Sequence, residues 1–147
     1  MSLQQIKSEI ETLDSRWYKL LIICGLKPYQ DKDMANQLDI PFININLKLS
    51  EKLKDISKAK YALKVPEILQ SILEQYEESY YWLGDIEILF DKQLQQNPVR
   101  LLENLGKRYS IIVTWPGQYA NGQLTYATPE HPEFFSCHET DGKILEL

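Results

Sequence analysis

The sequence predicts an α/β fold: a mainly parallel sheet with helices on both faces and a C-terminal β-hairpin. The apolar run that ends at Cys24 is continuous rather than alternating, which is typical of a strand buried on both faces. Strand-like and helix-like segments alternate along most of the chain, as a parallel sheet requires. Asn121-Gly122 is the strongest short hairpin signal, and one more strand-like run follows it.

The helices and strands are predicted from apolar periodicity, turn residues and capping residues. The predicted strands are residues 18–24, 40–45, 80–83, 110–114 and 124–127. The first predicted helix is amphipathic, with an apolar stripe of Leu3, Ile6, Ile10, Leu13 and Trp17. A second helix is capped by Asp31 or Asp33, a third is capped by Asn46 and carries Leu49, Leu53 and Ile56, and a fourth begins at Pro66 and carries Ile68, Leu69, Ile72, Leu73 and Tyr76. A short helix is capped by Asp91, and the last runs from Asn97-Pro98 to Gly106.

Length, composition and charge exclude several classes of protein. A chain of 147 residues can bury one core, so we expect residues 1–147 to form a single domain with an irregular tail from about Pro129. The net charge of -5 disfavours direct binding to nucleic acid. The longest apolar run is too short for a membrane span or a signal core, and Cys24 and Cys137 are expected to be free thiols. The sequence therefore predicts a soluble cytoplasmic protein.

The segment after the first strand is the first candidate site, because ligands of parallel sheets bind beyond the carboxyl ends of the strands. A strand, Gly25, a loop and a helix is the placement of the Walker A motif, G-x-x-x-x-G-K-[ST], whose residues bind phosphates and Mg²⁺. Only the first glycine fits. Counted from Gly25, the second glycine falls on Gln30, the lysine on Asp31 and the hydroxyl on Lys32.

The chemistry of this loop favours a structural role without nucleotide. Pro28 has no N–H to offer a phosphate, and Tyr29 is bulky where the backbone would approach the ligand closely. Asp31 and Asp33 repel a triphosphate, and they complement the positive end of the following helix themselves. We therefore expect no bound cofactor.

The alternative is a non-standard site for ATP and Mg²⁺. Lys27 or Lys32 would contact the phosphates, and Asp85 or Glu87, just after the third strand, would take the place of a Walker B acid. Thr114, where the fourth strand ends, would lie in a sensor-like position, although threonine is also a common strand residue. The candidate residues of this site are Gly25, Lys27, Lys32, Asp85, Glu87 and Thr114.

Two further groups of residues were weighed. The spacing of His131, Cys137 and His138 does not match a zinc site, and two histidines show no legible catalytic triad, so no metal ligand and no catalytic residue is predicted. The late aromatic residues either pack the tail on the sheet or form an anchor surface for a partner. They are Trp115, Tyr119, Tyr126, Phe134 and Phe135.

Three stretches of the chain are similar to one known family. They are Ile45-Asn-Leu-Lys-Leu-Ser50; Asp85-Ile-Glu-Ile-Leu-Phe-Asp91; and a C-terminal stretch from Leu101-Leu-Glu-Asn-Leu105 through Thr114-Trp-Pro-Gly117 to Gly122-Gln-Leu-Thr-Tyr-Ala-Thr-Pro-Glu-His-Pro-Glu133. With these, most of the chain resembles the small P-loop protein of type 3 BREX bacteriophage-defence systems. The resemblance implies a three-layer P-loop NTPase-like fold and a role in phage defence.

The chain departs from that family in both nucleotide motifs. The Gly-Lys-Ser/Thr loop of the family is absent, and the position of its Walker B acid falls on Gly84. The resemblance therefore implies a non-catalytic or weakly nucleotide-binding accessory subunit, whose partners are other proteins of the defence system. An ATP-binding switch or ATPase with a non-standard loop is the alternative.

Overall fold

The computed structural model describes residues 2–147, which form five α-helices and eight strands in two sheets. The helices are α1 (Ser2–Leu13), α2 (Gln30–Gln37), α3 (Ile45–Leu53), α4 (Tyr61–Glu74) and α5 (Pro98–Gly106). The strands are β1 (Leu20–Cys24), β2 (Phe42–Asn44), β3 (Tyr80–Gly84), β4 (Ser110–Thr114), β5 (Gln118–Ala120), β6 (Gln123–Tyr126), β7 (Phe135–Cys137) and β8 (Lys143–Glu146). Short 3₁₀ helices cover Lys58–Lys60, Glu87–Phe90 and Lys92–Leu94.

The larger sheet has five parallel strands in the order β2-β3-β4-β1-β8. Leu20 of β1 lies opposite Ile111 of β4, and Ile22 opposite Ile144 of β8, so β1 is enclosed on both edges. All five residues of β1 are buried, as the continuous apolar run predicts. The α/β class and the mainly parallel sheet are confirmed.

The two faces of this sheet pack against different helices, because successive side chains of a strand point to opposite faces. Leu20 and Ile22 share one buried cluster with residues of α3, α4 and α5. Leu21 and Ile23 share the other with residues of α1 and α2. The sheet is thus the middle of three layers.

Local capping signals placed two elements correctly. The Asn97 side chain accepts a 3.0 Å hydrogen bond from the Arg100 N–H, and Pro98 occupies the first turn of α5. The Asp91 side chain accepts a 2.9 Å bond from the Gln93 N–H at the start of a 3₁₀ helix. Both predicted helix starts are confirmed.

Other boundaries differ from the prediction. The cap of α3 is Asn44, which accepts a 3.0 Å bond from the Leu47 N–H, and not Asn46, which bonds to a different loop. Neither Asp31 nor Asp33 is the N-cap of α2, because both lie inside its first turn after Tyr29. Trp17 lies beyond α1 and is 77% exposed, so it is not part of the apolar stripe.

Pro66 lies inside α4 rather than at its start. A proline in a helix leaves the carbonyl four residues earlier without its usual N–H donor, and here that carbonyl belongs to Ala62. The Gln96 side chain donates a 2.9 Å hydrogen bond to the Ala62 oxygen. This donor, distant in sequence, compensates for the proline and allows the helix to continue through it.

The predicted hairpin is confirmed, and the tail is more regular than expected. Asn121 and Gly122 have φ of 55° and 73°, as a two-residue hairpin turn requires, and they join β5 to β6. Beyond Pro129, however, β7 extends the hairpin into a three-stranded antiparallel sheet, and β8 joins the large sheet beside β1.

The aromatic residues of the C-terminal part of the chain mainly pack the three-stranded sheet of β5, β6 and β7 onto the core. Trp115 is only 4% exposed, and Phe90 stacks on Tyr126 with ring centroids 4.0 Å apart. Phe135 lies edge-on to Phe90 at 5.7 Å. These contacts support the packing interpretation rather than an aromatic anchor surface.

Candidate functional site

A cleft of about 820 Å³ lies beyond the carboxyl ends of β1, β3 and β4. After β1 the chain runs through α2 to β2 at one edge of the sheet, whereas after β4 it continues to β8 on the other side of β1. Neighbouring strands whose connections leave in opposite directions create a crevice at their carboxyl ends, where ligands of open α/β sheets bind. The cleft occupies that position.

The structure brings all six candidate residues to this one cleft. Gly25 and Lys27 come from the loop after β1, and Lys32 comes from the first turn of α2. Asp85 and Glu87 follow β3, while Thr114 ends β4. Their shared location is the arrangement that the sequence predicts, and their role in binding stays a prediction.

The loop between β1 and α2 uses its own backbone donors. The Lys27 N–H donates to the Gln30 side-chain oxygen at 3.0 Å, and the Gln30 N–H donates to the Lys27 carbonyl at 3.1 Å. The Lys32 N–H donates to the Asp31 carboxylate at 2.8 Å, and the Asp33 N–H to the Tyr29 carbonyl at 3.2 Å. In a phosphate-binding loop such N–H groups point at the ligand.

Gly25 is required by the local backbone geometry. Its φ is 94°, which residues with a side chain rarely adopt. A Cβ at this position would also lie 2.6 Å from the Leu147 carbonyl oxygen. The Leu147 N–H in turn donates a 3.0 Å bond to the Cys24 carbonyl. The glycine therefore accommodates the backbone that follows β8.

Asp31 is the centre of the site. Its side chain is buried, with 9% exposed. One carboxylate oxygen accepts a 2.8 Å bond from the Thr114 hydroxyl, and the other accepts the Lys32 N–H. The Trp82 indole N–H donates to the same Thr114 hydroxyl at 2.8 Å. A continuous chain of hydrogen bonds thus joins α2, β4 and β3.

The space beside Asp31 explains the glycine at position 84. A Cβ on Gly84 would lie 2.2 Å from the Phe42 ring and 3.1 Å from an Asp31 carboxylate oxygen. An acid at position 84 would therefore collide with Phe42 and place a second negative charge beside Asp31. The buried Asp31 carboxylate therefore disfavours a second carboxylate at position 84 of the strand.

Asp85 and Glu87 form the acidic side of the cleft. Asp85 lies at the surface with a φ of 48°, a conformation that aspartate tolerates better than most residues. Partial burial raises the pKa of Asp85 above its ordinary value, and the negative charges of Glu87 and Asp31 raise it further. The nearby charge of Lys32 opposes this rise.

Asn46 holds this acidic segment in place. Its backbone N–H donates to the Asp85 carbonyl at 2.8 Å, and its side-chain amide donates to the Glu87 carboxylate at 3.0 Å. Its side-chain oxygen accepts a 2.8 Å bond from the Ile88 N–H. These three bonds connect the start of α3 to a segment about forty residues away in the chain.

The lysines around the cleft do not pair with its acids. Lys27, Lys32 and Lys48 line the cleft together with the carboxylates. Within residues 2–147, however, the ion pairs are Lys64–Glu67 at 3.5 Å and Arg108–Glu74 at 4.0 Å, both outside the cleft. The charge of Lys32 acts on Asp85 without the close contact of an ion pair.

Sequence reasoning missed three residues that organise the site. Asn46 is predicted from the sequence to cap a helix, Trp82 only to belong to the strand at residues 80–83, and Gly84 only to stand at the position of the family's Walker B acid. One signal was available: counting from Gly25 places the Walker A lysine on Asp31. The acid at that position is visible in the sequence, but its partner Thr114 lies at the end of a distant strand and only the fold brings the two together.

No protein-family model, curated protein or solved structure matches this chain. Within residues 2–147, no helix has the length and apolar character needed to cross a bilayer. The same residues contain no group of three or more His, Cys, Asp or Glu side chains arranged to hold a metal ion. The histidines of the tail lie in separate contacts: His131 accepts a 3.0 Å bond from the Glu133 N–H, and His138 lies 3.3 Å from Gln123.

Proposed function

We propose that this chain is a nucleotide-free, P-loop-like accessory subunit of a type 3 BREX phage-defence system. It acts in the cytoplasm by contact with other proteins of that system, without ATP hydrolysis. The resemblance of its three sequence stretches supports the choice of family. The geometry of the loop after β1 supports the choice of mechanism.

The observation that carries this proposal is the Asp31 carboxylate at the start of α2. It is buried, it accepts bonds from Thr114 and from the Lys32 N–H, and it lies where a phosphate would contact the positive end of the helix. A triphosphate bound there would meet a negative charge in place of a lysine. Two like charges placed next to each other cost several kcal/mol of binding free energy, which is enough to prevent measurable binding of the triphosphate.

A second candidate function is an ATP-binding switch. Its support is the size of the cleft, about 820 Å³, which is within the usual range for small-molecule sites, together with the six candidate residues on its wall. In this case Lys27 or Lys32 would contact phosphate, and Asp85 or Glu87 would bind Mg²⁺. Lys27→Ala and Lys32→Ala together separate the two candidates, because only the switch depends on one of these ammonium groups.

Phage plating in the native host tests the proposal. We expect deletion of the gene to raise the plating efficiency of phage, and expression of the wild-type chain to restore defence. Lys32→Ala should restore defence as well as Lys58→Ala, a matched change of an exposed lysine outside the cleft. Unchanged plating after deletion would refute the defence role. Failure of Lys32→Ala alone would favour the switch.

A further inference from the structure

The turn between β5 and β6 places an asparagine directly before a glycine at an exposed loop tip. Asn121 and Gly122 are both exposed, and they are the two central residues of the hairpin turn. The side-chain carbonyl of an asparagine is open to attack by the backbone nitrogen of the next residue. A glycine in that next position offers its nitrogen without the steric hindrance of a Cβ. The turn thus contains the sequence that hinders this reaction least.

Neither reacting group of the turn is held by another part of the protein. The ladder between β5 and β6 ends at the Ala120–Gln123 pair, so it does not use the Gly122 N–H. Within residues 2–147, the Gly122 N–H and the Asn121 side chain form no hydrogen bond. A Cβ built on Gly122 would meet no atom within 4 Å. The space around the turn is therefore open to the ring that the attack would form.

The five other asparagines of the chain are each protected, and none precedes a glycine. They are Asn36, Asn44, Asn46, Asn97 and Asn104. Asn97 precedes a proline, whose nitrogen carries no hydrogen. The side chains of Asn44 and Asn46 are held by hydrogen bonds around the start of α3. Asn36 and Asn104 lie inside α2 and α5, where helical hydrogen bonding engages the next N–H.

The Asp141-Gly142 pair in the tail is a built-in comparison, because the structure holds it in place. The Gly142 N–H donates a 3.1 Å bond to the Thr140 hydroxyl, and the Asp141 N–H donates a 2.8 Å bond to the Glu103 carboxylate. A Cβ on Gly142 would lie 2.7 Å from the Leu20 side chain. The nitrogen that would attack is engaged, and an ionised carboxylate is a weaker electrophile than an amide. The Asn121 turn is therefore the reactive one of the two.

We propose that Asn121 is a site of spontaneous deamidation, at which the Gly122 nitrogen attacks Cγ of the asparagine side chain. The new C–N bond closes a succinimide ring. The bond from Cγ to the side-chain nitrogen breaks, and that nitrogen leaves as ammonia with the proton from Gly122. Water then adds at one of the two ring carbonyls: opening at Cγ gives aspartate, and opening at the main-chain carbonyl gives isoaspartate. The reaction needs no partner and no nucleotide, so it is independent of the proposed function.

Isoaspartate would change the hairpin, because its main chain runs through the side-chain methylene and lengthens the turn. The turn sets the register of β5 against β6. Strand β6 carries the buried Leu124, and Tyr126 of the same strand stacks on Phe90 at 4.0 Å. We expect the isoaspartyl product to weaken this packing. Aspartate is common before glycine in such turns, so the aspartyl product should keep it.

Peptide mapping of the aged protein tests the site. The full chain is incubated at mildly alkaline pH, digested with trypsin and analysed by mass spectrometry. Cleavage after Arg108 and Lys143 releases the 109–143 fragment, in which Asn121 is the one asparagine. We expect this fragment to gain the mass of an amide converted to an acid before any other asparagine reacts. Conversion should accelerate as the pH rises, because the attacking nitrogen must lose its proton.

Gly122→Ala should slow the conversion at least about tenfold, which corresponds to about 1.4 kcal/mol of activation free energy. Because alanine is strained at the φ of 73°, the order of reaction among the six asparagines of the wild-type chain is an independent test. Earlier conversion of any other asparagine, or an unchanged rate in Gly122→Ala, would overturn the assignment of the site.

Asn121→Asp is the matched control for the effect on the hairpin, since it has the charge of the product and an ordinary main chain. Its Tm should stay within about 2 °C of the wild type. The isoaspartyl protein, separated from the aged sample by chromatography, should have a Tm lower by at least about 4 °C. Equal Tm values for the isoaspartyl protein and for Asn121→Asp would overturn the inferred loss of packing.

Discussion

The Thr114 hydroxyl donates a 2.8 Å hydrogen bond to the Asp31 carboxylate, across 83 residues of sequence. The bond joins the end of β4 to the first turn of α2, on the wall of the cleft. Because Trp82 donates to the same hydroxyl, the hydroxyl cannot turn its proton toward the indole and is directed at Asp31. An internal polar network therefore joins three elements at this end of the sheet.

Asp31→Asn should destabilise the protein by about 1–3 kcal/mol, because a buried carboxamide cannot accept both the Thr114 and the Lys32 bonds through equivalent oxygens. Urea unfolding measures the change. Asp33→Asn, in the same turn but exposed, is the control and should stay within about 0.5 kcal/mol. Equal small effects in both variants would contradict a structural role for the Asp31 network.

Gly84→Ala should cost about 1–3 kcal/mol, since its Cβ would lie 2.2 Å from the Phe42 ring. In a Phe42→Ala background the ring is absent, so the same change should cost much less. A double-mutant cycle measured by urea unfolding gives the coupling between the two positions. An additive cycle would show that Phe42 does not exclude a side chain at position 84.

Asp85→Asn should stabilise the protein near neutral pH by no more than about 0.5 kcal/mol. The pKa of Asp85 is raised in the folded state, so its ionised form disfavours folding. This destabilisation is complete above the folded-state pKa. It disappears as the pH falls below the ordinary aspartate pKa of about 3.9, and the gain from the substitution should disappear with it.

Thermal unfolding at several pH values checks this dependence. Asp39→Asn is the matched control, because Asp39 is also exposed and has a φ of 58°, so it reports the effect of asparagine in the same backbone conformation. A gain for Asp85→Asn that equals the control, or that persists in acid, would contradict the electrostatic explanation.

Gln96→Ala should cost about 0.5–1.5 kcal/mol, because the Ala62 carbonyl loses its donor. In a Pro66→Ala background the backbone N–H of residue 66 can bond to that carbonyl, so the cost should fall. Urea unfolding of the four proteins in this cycle gives the comparison. The same cost in both backgrounds would show that Gln96 does not compensate for the proline.

The sequence predicts best the elements whose signals are local. The run before Gly25 and the Asn97-Pro98 start of α5 depend on neighbouring residues, and both are confirmed. Elements that depend on distant partners were missed. Lys143–Glu146 is a strand because it pairs with β1. Asn46 is not the cap of α3, since its side chain bonds to Glu87 and Ile88.

For the candidate site too, the sequence predicts the features with local signals and misses those that depend on distant partners. The topology of a parallel sheet was sufficient to bring Gly25, Asp85 and Thr114 to one cleft. The burial of Asp31 could not be predicted, because it depends on Thr114 and on the missing side chain at position 84. Local chemistry predicts a loop without the Walker A residues, and only the fold shows which groups Asp31 contacts.

Calorimetric titration of the purified chain with ATP and Mg²⁺, repeated with a non-hydrolysable analogue, tests the central claim most directly. Because the proposal places the Asp31 carboxylate where a phosphate would bind, we predict no detectable binding at millimolar nucleotide. Micromolar binding that is lost in Lys32→Ala and kept in Lys58→Ala would contradict the account and identify the cleft as a nucleotide site.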